Sequence, residues 1–177
     1  MGTTTTYGGG VGGTKVLIST ITQESAGEFD FTNIPQTYSR LILEGTLRGS
    51  VSATTATVQL LLNEDTTTSS YFYQGLRLVN GTLATPEAAA PNSGGVPGNT
   101  APAGRASFRA VLESYTDDLT KTWDSTTSYE EVAGDVMVGW RTVTTSSVTS
   151  PVTRIRVRAN THPTDGLTGT LRLYGEM

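Results

Sequence analysis

The chain has 177 residues, a length typical of one domain with a substantial core. Only 16% of the residues are charged and the formal net charge is -4, which argues against a nucleic-acid or anionic-membrane surface, because such surfaces need clustered positive charge. The absence of cysteine excludes disulfides and thiolate metal sites. No apolar run approaches the roughly 20 residues of a membrane-spanning helix.

Residues 1–13 form a glycine-rich segment, and TYGGGVGGTK contains the G-x-G-x-x-G spacing of a nucleotide-binding loop. No strand pattern precedes these glycines and no helix pattern follows them, so the nucleotide interpretation fails. We predict instead an assembly arm that packs on a neighbouring subunit or on a shell of other subunits. Tyr7, Gly10 and Val11 are its expected contact residues, since an aromatic at an interface is a typical hot spot. The alternative is a flexible linker.

Residues 14–177 read as a single all-β domain. Threonine and glycine are abundant, and short segments with period-two alternation recur between turn signals, which favours a sandwich or barrel. ASFRAVLESY fits helical and strand spacing equally well, and its surroundings favour a strand. The fold predicted is a jelly-roll sandwich of two antiparallel sheets. The expected strands are KVLISTIT, GEFDFTNI, SRLILEGTL, TATVQLLLN, YFYQGLRLV (ending at the tight-turn dipeptide Asn80-Gly81), RASFRAVLESY, TKTWDSTTSY, DVMVGWRTV, VTRIRVRA and GTLRLYG.

A long loop is expected over residues 84–104, where four prolines and several glycines oppose regular ladder pairing. Loops of this length in compact domains are uncommon and often functional. We predict that this loop, including Val96 and Pro97, contacts a partner or its own sheet. A solvated excursion is the alternative.

The sequence offers no recognisable catalytic constellation. The single histidine, His162, lies in the turn-like THPTDG, no G-x-S-x-G elbow occurs, and no pair of acidic residues stands out for glycosidic chemistry. Residues 63–65, Asn-Glu-Asp, could hold a hard cation, although simple turn chemistry is the favoured interpretation. We therefore expect no enzyme activity, no cofactor and no metal.

Three arginines alternate in VTRIRVRA, which places Arg154, Arg156 and Arg158 on one face of a strand. Like charges at this spacing repel unless carboxylates balance them. Either acidic residues on adjacent strands balance them, or a partner subunit supplies a ladder of intersubunit salt bridges.

Four aromatic residues could form a stacking platform for a sugar: Tyr71, Tyr73, Trp123 and Trp140. In a β-sandwich such residues more often belong to the core. Both interpretations stay open at this point.

Several segments, taken in order, resemble small jelly-roll virion structural proteins of tailed bacteriophages. FDFTNIPQTYSRLILEG is similar to their F-x-x-I-P-x-T-Y-x-x-L-x-L opening, and LLLNEDTTTSSYFYQGL to their N-x-D…Y-x-Y segment. LESYTDDLTKTWDS resembles their Y…K-T strand pair, and VGWRTVTTSSVTSPVTRIRVRA followed by GLTGTLRLYGEM resembles their closing strands. The similarity runs from Phe29 to Gly175 and leaves out the arm and the proline-rich loop.

The resemblance implies a non-catalytic module, often trimeric, on a phage head or tail. We therefore expect a capsid decoration or cement protein that binds itself and the major capsid protein, with no nucleic acid or membrane partner. The alternative is a tail-tip module that recognises a host glycan.

Overall fold

The computed structural model describes residues 13–50, 55–84, 95–97, 104–132, 136–160 and 164–177. These ranges hold twelve β-strands, one short 3-10 helix at Thr68–Ser70 and no α-helix. The first six strands are β1 (Lys15–Gly27), β2 (Phe29–Phe31), β3 (Arg40–Gly49), β4 (Thr55–Leu62), β5 (Tyr71–Val79) and β6 (Thr82–Ala84). The remaining six are β7 (Gly95–Pro97), β8 (Ala106–Glu113), β9 (Lys121–Val132), β10 (Val136–Ser146), β11 (Ile155–Ala159) and β12 (Leu167–Glu176).

The strands form two antiparallel sheets. The large sheet has eight strands in the order β1-β12-β3-β8-β9-β10-β5-β6, and the small sheet has four in the order β2-β11-β4-β7. Several strand pairs are long-range: β1 pairs with β12 at the other end of the sequence, and β2 pairs with β11. The predicted all-β sandwich of two antiparallel sheets is confirmed.

The core lies between the inner faces of the two sheets. Along β8, Ala106, Phe108, Ala110 and Leu112 are buried, whereas the alternate residues are partly or fully exposed. ASFRAVLESY is therefore a strand, as predicted, and the period of two, rather than 3.6, describes it. The small sheet contributes Phe29, Phe31, Leu60, Ile155 and Val157, among others, to the same core cluster.

The Asn80-Gly81 dipeptide forms the predicted tight turn, between β5 and β6. Both residues have positive φ, 47° and 78°, which a two-residue hairpin of the favoured twist requires at both central positions. β6 pairs through this turn with Arg77, Leu78 and Val79. The turn therefore fixes the register at this end of the large sheet.

Candidate interaction surfaces

The arginine row of β11 lies on the outer face of the small sheet. Arg154 donates to the Asp30 carboxylate through Nε (2.7 Å) and Nη2, and it also pairs with Glu64. Arg156 lies 3.2 Å from a Glu28 carboxylate oxygen. All three carboxylates belong to this chain, so adjacent segments of the chain itself balance Arg154 and Arg156.

The third arginine, Arg158, has a neutral partner. Its Nε donates to Gln59 Oε1 at 3.1 Å, and the Gln59 amide, which is buried, donates in turn to Asn160 Oδ1. The cationic end of the row is thus at Arg158. Near its other end, the hydrogen bond from Arg154 lowers the pKa of Asp30, against the opposing effect of burial.

The other residues predicted to bind a partner have different outcomes. Val96 is fully buried and pairs with Ala56 in the small sheet, so its side chain belongs to the core and cannot form a partner contact. Pro97 lies in β7 opposite Thr55. Tyr7, Gly10 and Val11 lie outside the described residues, and so do residues 85–94 and 98–103 of the predicted loop.

The four aromatic residues do not form an exposed stacking platform. Tyr71 and Trp123 are buried and pack edge to face, with ring centroids 6.0 Å apart at 69°. Trp140 is also buried and lies under the Arg77 guanidinium, 5.3 Å from it. Only Tyr73 is partly exposed. The core interpretation is therefore the one that the structure shows, and the glycan platform proposed as the alternative is wrong for Tyr71, Trp123 and Trp140.

The polar side chains of the Asn63–Asp65 turn bind other groups of the same chain. Asn63 and Glu64 have positive φ, and the Asp65 carboxylate accepts a hydrogen bond from the Thr67 backbone at 2.9 Å. In the described ranges, no group of three or more His, Cys, Asp or Glu side chains is placed to hold a metal ion. His162 lies outside these ranges.

Asn63 belongs to a set of side chains that hold residues 147–153, the segment between β10 and β11. Its Nδ2 donates to Pro151 O at 2.8 Å, and its Oδ1 accepts from Thr153 N at 2.9 Å. The Gln36 amide donates to Val152 O at 2.9 Å. The sequence showed only an Asn at a turn. The segment that Asn63 binds is about 90 residues away, and no local sequence pattern identifies it.

Lys121 is fully buried beneath the same segment. Its ammonium donates to the backbone oxygens of Asp117, Leu119 (2.6 Å) and Thr149 (3.2 Å). Three acceptors match the three protons of an ammonium. Sequence reasoning missed this role, because lysine is among the residues least often buried.

The outer face of the large sheet changes character from one edge to the other. Over β1, β12, β3 and β8 it carries ion pairs, such as Lys15 with Glu44 at 2.6 Å and Arg40 with Glu176 at 2.6 Å. Between β10 and β9 it carries the ion pair of Arg141 with Asp124. Beyond this pair lies a group of exposed apolar side chains, here called the apolar corner: Phe72, Leu76, Leu78, Leu83 and Val143.

The apolar corner was not foreseen from the sequence. YFYQGLRLV has large apolar residues at both alternating sets of positions, so the pattern alone could not show which set would face the core. In the structure Tyr71 and Gly75 point inward, while Phe72, Leu76 and Leu78 are exposed.

Comparisons of the chain with protein-family models, with curated proteins and with solved structures find no match. The described part of the chain contains no helix with the length and apolar character that crossing a bilayer requires.

Proposed function

We propose that the chain is a non-enzymatic structural protein of a phage virion, a jelly-roll module that decorates and stabilises the capsid as a homotrimer. The observation that carries this proposal is spatial. The segments that resemble such virion proteins are far apart in sequence, and residues from several of them contact one another.

Tyr115 illustrates these contacts. Its hydroxyl donates to Pro35 O and accepts from Tyr38 N, and its backbone oxygen accepts from Val152 N. Tyr38 in turn packs against Gly175 of the closing strand. Residues from the opening, middle and closing segments thus contact one another.

Strand order supports the jelly-roll part of the proposal. Without β5, β6, β9 and β10, eight strands remain, in sheets ordered β1-β12-β3-β8 and β2-β11-β4-β7. Numbered one to eight along the chain, the first pairs with the last, the second with the seventh, the third with the sixth and the fourth with the fifth. Such nested pairing is that of a long hairpin wound into two four-stranded sheets, as in jelly rolls.

A decoration protein needs surfaces for self-assembly and for the capsid. The apolar corner supplies one candidate, since exposed contiguous apolar groups commonly mark interaction sites. It lies on β5, β6 and β10, three of the four strands that extend the large sheet beyond the eight-strand framework.

Quantitative mass spectrometry of purified virions tests the proposal. Many copies per particle are expected, together with a lower thermal stability of heads that lack the protein. A few copies per particle would place the protein at a tail tip instead, and its absence from particles would refute the virion role.

A further inference from the structure

The side chains of the apolar corner lie on one face of three neighbouring strands, with Gln74 between Phe72 and Leu76 on β5. Phe72 is 68% exposed and Leu83 is 60% exposed, high values for large apolar side chains. Leu78 lies directly opposite Leu83, and Val143 lies opposite Gln74 on the same face. The charged pair Arg141–Asp124 borders the corner on its β9 side.

The size of the corner suits an extended segment. A standard interface between folded bodies takes about 20–30 residues from each side, whereas the corner consists of five apolar side chains on adjacent strands. Phe72 and Leu76 are four residues apart on one strand, so they lie on the same face about 13 Å apart. An extended ligand with two apolar side chains at the same spacing would match them.

Residues 1–12 of this chain include two apolar side chains at that spacing. Tyr7 and Val11 are four residues apart, and the residues between and beside them are glycine and threonine. In an extended backbone both side chains point to one side. The intervening glycines let the backbone approach a surface closely.

A chain's own arm cannot place Tyr7 on its own corner. The described chain starts beside β1, which is six strand positions from β5 in the large sheet, or roughly 29 Å at about 4.8 Å per spacing. The six residues from Gly13 back to Tyr7 reach only about 20 Å when fully extended. Tyr7 would therefore reach only the strands that carry the ion pairs and would fall short of the apolar corner of its own chain. A neighbouring copy whose β1 edge adjoins the corner is not limited in this way.

We infer that the apolar corner receives residues 1–12 of a second copy, with Tyr7 and Val11 on Phe72 and Leu76. Each copy then donates from its β1 edge and accepts at its opposite edge. This contact is head-to-tail, and such contacts form rings such as trimers where the rotation between copies closes. The inference deepens the self-assembly part of the proposed function and rests on it.

Disulfide trapping tests this contact without interference from native thiols, because the chain has no cysteine. The single variants Tyr7→Cys and Leu76→Cys are mixed and oxidised, and disulfide-linked peptides are identified by mass spectrometry. Each copy carries one cysteine, so a bridge between positions 7 and 76 must join two copies. We expect this bridge to form at least tenfold more than the bridge from Tyr7→Cys to Leu119→Cys. Leu119 is more exposed than Leu76, at 64% against 48%, but lies outside the corner.

Sedimentation of the full chain supplies the second readout. Phe72→Ser and deletion of residues 1–12 should each weaken self-association by roughly tenfold or more, as loss of a hot spot does. Their combination should weaken it little further, and Leu119→Ser should leave it unchanged. A bridge no more abundant than in the Leu119 control, a monomeric full chain, or arm cross-links to another protein would each overturn the inference. Virion mass spectrometry stays independent of these results, so a virion protein without this contact would be recognised.

Discussion

The ring of Tyr38 lies directly against the α-carbon of Gly175, so closely that a methyl group there would fall 2.2 Å from the ring. Gly175→Ala must therefore displace Tyr38 or the closing strand. We expect a loss of about 1–3 kcal/mol in the free energy of unfolding, as for other overpacked sites. Urea unfolding measures this, with Gly139→Ala as the control, because a methyl group at Gly139 meets nothing within 4 Å. Equal effects of the two substitutions would show that the contact with Tyr38 is unimportant.

Tyr115 connects the end of β8 to the turn before β3 through its hydroxyl. Tyr115→Phe keeps the ring but leaves the Pro35 oxygen and the Tyr38 N–H without this partner. We expect a destabilisation of about 1–3 kcal/mol, the usual effect of leaving buried polar groups unsatisfied. Thermal unfolding monitored by circular dichroism checks this. Tyr174→Phe serves as the control, because the contact of Tyr174 with the Lys15 ammonium is made by the ring, which phenylalanine keeps. An equal loss of stability in both variants would contradict the expectation.

Lys121 supplies all its protons to backbone oxygens under residues 147–153. Lys121→Met preserves most of the side-chain volume and removes the ammonium. Three carbonyl groups then lose their donor, and we expect a destabilisation of about 1.5–3 kcal/mol, the range for hydrogen bonds to a charged group. Faster amide hydrogen exchange should be confined at first to the two segments whose oxygens Lys121 binds, the one between β8 and β9 and the one between β10 and β11. An unchanged exchange pattern there would show that the ammonium does not hold these segments.

Acid should weaken the fold through Asp30 and Glu176. The hydrogen bond from Arg154 lowers the pKa of Asp30 below 3.8, and that from Arg40 lowers the pKa of Glu176 below 4.5. A lowered folded-state pKa gives stability that is present above the unfolded-state pKa and is lost as pH falls through the folded-state value. The free energy of unfolding should thus fall with decreasing pH below about 4.

The variant Asp30→Asn should reduce the slope of stability against pH in this acid range. Asp118→Asn, which changes an exposed loop carboxylate, is the matched control. Urea titrations at a series of pH values provide the measurement. Identical slopes in the wild-type chain and the Asp30 variant would mean that the pair with Arg154 adds no stability.

Alkali should act through Tyr71. Burial raises the pKa of Tyr71 from 10.0 to about 12. Its stabilising contribution is complete below pH 10 and is lost as pH rises through about 12, because the folded state favours the neutral phenol. Titration by phenolate absorbance should show that the tyrosine that ionises last is missing in Tyr71→Phe. If the variant loses an early-ionising tyrosine instead, Tyr71 is not buried in solution.

The sequence by itself determined ten of the twelve strand segments and the Asn80-Gly81 turn, but it missed the short strands β6 and β7, the second of which lies within the predicted loop. These depend on alternation and on backbone preferences over a few residues, which are local properties. Alternation also predicted that Arg154, Arg156 and Arg158 share a face, and they do.

Only the tertiary structure decided which residues each strand face contacts. The carboxylate that lies against Arg154 comes from β2, more than 120 residues earlier in the chain, and the oxygens that bind Lys121 include one from beyond β10. Either face of β5 could have been the inner one, and its position next to β10 buried Tyr71 and exposed Phe72. Strand pairing joins residues far apart in sequence, so a strand's own pattern cannot specify its neighbours. The apolar corner results from this pairing, because β5, β6 and β10 lie next to one another at one end of the large sheet.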